Sequence, residues 1–123
     1  MKLKAKKPRE VIFIHYFVRD LKEGRVYTFF ALDDYADFIY DYTVTNDLSE
    51  PSLLAVIVKL MESEKFQLHS HSFKLVVGFG KEITHQMQQI VEPHNGTILF
   101  SQKAAQKRLY PMYKEFLQRS GGA

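Results

Sequence analysis

Few side chains in this sequence have both the type and the spacing to do chemistry. His15 is the one polar residue inside the apolar run Val11 to Val18. An imidazole there is either a lone general base or a buried, hydrogen-bonded structural histidine, and the structural role is the expectation. Asp33 and Asp34 form the tight carboxylate pair. Paired carboxylates can share a metal or shift each other's pKa, yet the same residues cap corners between strands, which is the expected use here. His69 and His71 have the i, i+2 spacing of two ligands on one face of a strand. Neutral imidazole suits Zn²⁺, but no third ligand stands nearby, so a polar loop is expected. Phe79-Gly80-Lys81 after an apolar run invites a phosphate-loop reading, but lacks the spacing of a nucleotide-binding loop, and no nucleotide cofactor is expected.

Charge adds a second kind of candidate. The net charge of +3 is split: residues 1–10 carry five Lys/Arg against Glu10, residues 102–123 carry five against Glu115, and the middle is acidic. Basic ends around an acidic middle are a possible electrostatic footprint for nucleic acid. The candidate contacts are Lys4, Lys6, Lys7, Arg9, Lys103, Lys107, Arg108 and Lys114. The competing reading is a solvated tail and an ordinary helix with exposed lysines.

The elements that must position these groups fit one domain. At 123 residues the chain is long enough for a hydrophobic core, and its apolar fraction of 46% is that of a globular protein. The absence of cysteine excludes disulfides, thiolate metal sites and a Cys nucleophile. No apolar run approaches the roughly 18 residues of a membrane span, and the basic start lacks the apolar core of a signal peptide. A soluble, cytoplasmic domain without membrane contact is therefore expected.

Residues 1–9 read as a basic linker or tail, 10–118 as the domain, and 119–123 as a flexible C-terminus. Val11–Val18 and Arg25–Leu32, rich in β-branched and aromatic residues, predict an antiparallel hairpin around a charged turn ending at Gly24. The alternation through Phe38, Tyr40, Tyr42 and Val44 predicts a half-exposed outer strand. Ser49 and Pro51 mark a helix start before an apolar face running from Leu53 to Met61. Phe73–Gly78 is a strand that follows a crossover helix and is thus parallel to the first. A helix over about 82–91, a strand at Thr97–Phe100 and a helix over about 102–118, bent or interrupted at Pro111, complete the order. The fold class is α/β: three antiparallel strands, then strands joined by helices, in a five-stranded mixed sheet with helices on both faces.

That order resembles the ribonuclease-H-like catalytic core of retroviral integrases and bacterial integrase-type transposases. Pro8-Arg9-Glu10-Val11-Ile12-Phe13-Ile14-His15-Tyr16-Phe17 matches the family's Pro-Asn-x-x-Trp-x-x-Asp-x-Thr, and Tyr27, Asp33–Asp37, Ile39 and Tyr42 match the second strand, corner and third strand. The resemblance implies two divalent metals held by three carboxylates. It also implies where those carboxylates would stand. His15 occupies the first position, and Gly80 the second, in Val77-Gly78-Phe79-Gly80-Lys81. The third falls on Arg108 by local pattern or Glu115 by spacing. The expectation is therefore a catalytically inactive member without a catalytic site or cofactor, related to DNA integration or transposition. Its implied partners are DNA or a second copy of the chain. Two alternatives stand beside it. One is an active Mg²⁺- or Mn²⁺-dependent nuclease or strand-transferase using relocated carboxylates such as Asp33, Asp34 or Glu115. The other is a protein-interaction domain that does not bind nucleic acid.

Overall fold

The structure, a computed structural model, describes residues 4–119. Five strands form one mixed sheet: β1 (Val11–Leu21), β2 (Gly24–Asp33), β3 (Phe38–Thr45), β4 (Phe73–Val77) and β5 (Gly96–Phe100), in the spatial order β3-β2-β1-β4-β5. The first three pair antiparallel, while β4 lies parallel to β1 and β5 parallel to β4. This is the α/β mixed sheet that the strand order predicts. The hairpin is tighter than expected. Leu21 pairs with Gly24, so the loop shrinks to Lys22 and Glu23, and Gly24 takes a φ of +133° that side chains disfavour.

Residue parity along β1 divides the interior. Ile12 and Ile14 point into one core, and Val11 and Phe13 into the other. The first core is closed by α1 (Glu50–Glu62) and α2 (Thr84–Val91), and the second by α3 (Gln102–Arg119). Helices thus cover both faces. Ser49 caps α1 as expected: its side chain accepts from the Ser52 N–H, and Pro51 sits in the first turn, where its missing N–H costs little. Leu53, Val56, Ile57, Leu60 and Met61 form the buried face. α3 runs through Pro111 as a single helix. Proline removes the bond to the Lys107 carbonyl, and because Lys107 is exposed that carbonyl can turn to water.

β3 departs from simple alternation. Leu32 pairs with Ile39 but Ala31 pairs with Asp41, so Tyr40 is the extra residue of a bulge. Tyr40 then packs on Phe66 in the first core, whereas Tyr42 lies against Phe30 and Phe116 in the second. Among the described residues no helix is long and apolar enough to cross a membrane.

Residues 4–9, expected as part of a linker, lie against the sheet. Ala5 is buried in the second core and its N–H donates to Asp34 Oδ2 at 3.3 Å. The expected flexible end at 119–123 lies outside the described residues, apart from the Arg119 backbone that closes α3.

Candidate functional site

His15 sits on the α3 face of β1, one residue past the Ile14–Val77 pair that ends the contact with β4. It is 3% exposed. Its ring lies where a side chain at position 78 would be: a Cβ on Gly78 would stand 2.5 Å from Nδ1 and 3.0 Å from the Ala105 Cβ. On its other side, the Gln106 amide nitrogen donates to Nε2 at 3.2 Å. Nδ1 faces Gly78 with no hydrogen-bond partner among the described residues. Burial without a compensating charge pushes the His15 pKa down to about 4. The imidazole is therefore neutral at physiological pH.

This arrangement revises the expectation for the last helix. The residue facing His15 is Gln106, which sequence reasoning missed, and neither Arg108 nor Glu115. The Arg108 Nε donates to Asp34 Oδ1 at 2.7 Å, and Nη2 bonds Asp37. Burial pulls the Arg108 pKa down, but the hydrogen bonds and attraction of both aspartates outweigh it, leaving it above its ordinary value. Glu115 lies nine residues on, about 14 Å along the helix from Gln106. The signal for Gln106 was present in the sequence: Ala105 and Leu109, four apart, mark the core-facing line, and position 106 flanks it.

Mg²⁺ or Mn²⁺ at this place would need hard, anionic oxygen ligands. The groups present are a neutral imidazole, a carboxamide, and a glycine at 80 held in the left-handed region at φ +67°. That donor set does not fit the cation. A cleft of about 500 Å³ opens beside it, lined by Tyr16, Gly78, Gly80, Lys81, Glu82 and Gln102 among others, in which Glu82 is the lone carboxylate.

The other candidates are engaged in holding the fold. Asp33 is buried and accepts from the Arg9 N–H at 3.0 Å, the Tyr35 N–H at 3.0 Å and the Tyr40 hydroxyl at 2.8 Å. Burial and the bond to Asp33 raise the Tyr40 pKa. Asp34 is shared between Ala5 and Arg108. The pair is thus a fastened corner. His71 Nε2 donates to the Pro8 and Arg9 carbonyls at 2.9 and 3.1 Å. The rings of His69 and His71 are 5.5 Å apart, and no group of three His, Asp or Glu able to hold a metal occurs among the described residues.

The basic residues divide. Arg9 is 2% exposed, which removes it from the candidate nucleic-acid contacts. Its guanidinium carbon lies 4.8 Å from the ring centroids of both Phe66 and Phe73. Nη1 donates to the Phe66 carbonyl at 3.3 Å and Nη2 to the His71 carbonyl. Desolvation lowers its pKa from the ordinary value, opposed by Tyr40. By contrast Lys4, Lys6 and Lys7 are exposed and line a pocket of about 370 Å³ together with Lys74 of β4, which sequence reasoning passed over. On α3, Lys103, Lys107 and Lys114 are exposed, and Lys114 reaches over the Tyr110 ring at 5.6 Å.

No protein-family model matches the chain, and no curated protein does. Among solved structures it is similar to a chain in the cryoEM structure of the simian T-cell lymphotropic virus intasome in complex with PP2A regulatory subunit B56 gamma. The TM-score is 0.71 at 9% sequence identity. The likeness is one of fold. It covers 95% of this chain and 42% of that one, so this chain spans less than half the length of its neighbour.

Proposed function

We propose that this chain is a ribonuclease-H-like domain of the integrase and transposase kind that binds nucleic acid without metal-dependent phosphoryl transfer. The strand order, the helices on both faces and the likeness to a chain from a viral intasome support the fold assignment. The observation that carries the functional half is the packing of neutral His15 between Gly78 and Gln106. Where the family resemblance expects carboxylates, the chain has filled the space with uncharged groups. Two-metal displacement needs anionic oxygens that clamp both ions, and fold alone carries no activity.

Binding to a short DNA duplex across a salt series, with and without Mg²⁺, tests the proposal. The expected result is affinity that falls steeply with salt, ignores Mg²⁺ and leaves the duplex intact, because phosphate contacts release counterions. A requirement for Mg²⁺, or cleavage, would revive the nuclease with relocated carboxylates. No binding even at low salt would favour a protein-interaction domain. One observation supports that second reading: Tyr42 and Val44 are 54% and 53% exposed on the open edge of β3. Concentration-dependent dimerisation that Tyr42→Lys abolishes would establish it.

A further inference from the structure

We propose that the lysine pocket at the starts of β1, β4 and β5 is a contact surface for the phosphate backbone of double-stranded nucleic acid, engaged without regard to base sequence. The inference rests on the nucleic-acid reading above and deepens it, naming the surface and the feature of the ligand. It brings together residues far apart in sequence. Lys4, Lys6 and Lys7 come from the segment preceding β1, and Lys74 from β4, where it pairs with Val11 on one side and Thr97 on the other.

The lysines are displayed by a built support. Alternate groups of the segment are anchored: Ala5 in the core beneath α3, Arg9 between two phenylalanines, and the backbone of 8–9 on His71. The residues between these anchors are therefore held outward. The Lys6 N–H donates to Glu10 Oε1 at 2.7 Å, which turns the one carboxylate of the lining into a brace for the segment. Among the described residues, none of the four ammonium groups has a carboxylate within ion-pair distance. A concave surface lined by one sign of charge concentrates the field and attracts the opposite sign.

The lining also selects the kind of anion. Lysines are mobile point charges and lack the planar fork with which arginine grips a single phosphate or carboxylate. Several of them together suit a repeating polyanion, whose binding is driven by released counterions. Single strands are held largely by bases stacked on exposed aromatic side chains. The one aromatic residue of the pocket, Phe73, is 2% exposed and its ring is committed to Arg9. Contact with a duplex backbone, which positions without specifying sequence, matches what remains.

Fluorescence anisotropy with a labelled short duplex at several salt concentrations tests the inference on three proteins. These are the unaltered chain, the pocket variant Lys6→Gln/Lys7→Gln/Lys74→Gln, and the helix variant Lys103→Gln/Lys107→Gln/Lys114→Gln. The pocket variant should lose at least about tenfold in affinity and show a salt slope shallower by about 2 to 3, given roughly 0.9 per phosphate contact. The loss should be the same for a scrambled duplex. The corresponding Lys→Arg triple should retain binding, which separates charge from any effect on folding. If the helix variant loses binding and the pocket variant does not, the inference fails while the nucleic-acid reading stands. If the unaltered chain binds no duplex, both fall. A tenfold preference for single strands, or adsorption to phosphatidylserine vesicles without duplex binding, overturns the duplex-backbone assignment.

Discussion

The two ends of the parallel strands solve opposite problems. Where β4 ends, a position that the family resemblance reserves for anionic ligands is filled by neutral His15, packed against a glycine and a carboxamide. Where β4 begins, a positive charge has been drawn inside: Arg9 is buried between Phe66 and Phe73 so that the lysines around it stay out. Both ends depend on a glycine. Gly78 makes room for the His15 ring, and a Cβ on Gly96 would stand 2.3 Å from the Phe73 ring. The contrast separates burying charge to build a scaffold from exposing charge to meet a ligand. Charge has left the site of presumed ancestral chemistry and accumulates at the far end.

The largest test of this contrast is Gly78→Val, which drives a branched side chain into the imidazole. Urea denaturation should show a loss of about 3 kcal/mol or more, as for overpacked cores. In a His15→Ala background the loss should at least halve, a coupling that a double-mutant cycle measures. Equal losses in both backgrounds would mean the two residues do not share that space. At the other end, Arg9→Ala strands the carbonyls of Phe66 and His71 and removes two cation–π contacts. It should cost about 2 to 3 kcal/mol, and limited proteolysis should then cut near Lys6 and Lys7. Arg9→Lys should rescue little, because an ammonium cannot bridge both carbonyls while lying flat on the rings.

Acid should act on the neutral end. The pKa of folded His15 is about 4, below the ordinary 6.5, so the unfolded chain takes up the proton first as pH falls. This contribution to stability is complete above about pH 6.5, declines down to about pH 4 and then levels off, a loss of up to about 3 kcal/mol. His15→Gln should flatten the pH–stability curve across that window. An unchanged curve would mean that His15 is protonated in place. Smaller still, Tyr40→Phe removes the hydroxyl bonded to buried Asp33 and should cost about 1 kcal/mol in the same denaturation assay.

The order of strands and helices was legible in the sequence because each element carries its own periodicity and punctuation. Ser49 with Pro51 starts a helix, and Val11 to Val18 cannot be exposed. What was hidden depends on contacts between distant residues. The bulge at Tyr40 is invisible to an alternation rule, since the extra residue is defined only by its pairing with β2. Arg9 looked like one more cation in a basic stretch, and only the arrival of Phe66 and Phe73 gives it an interior to occupy. Lys74 looked like an ordinary outward residue of a strand until residues 4–7 came alongside. The partner of His15 was misplaced by two residues because the pattern around Arg108 is a motif for the Asp34–Asp37 corner.

The clasp around Arg9 also fixes an order of events during synthesis. Its partners lie 57 to 62 residues further along the chain. The basic segment leaves the ribosome before them and cannot lock until β4 has joined the sheet. At roughly 5 to 20 residues per second, several seconds separate its emergence from its docking. The part of the domain made first is thus among the last to be fastened, and its docking reports that the sheet beneath it is complete.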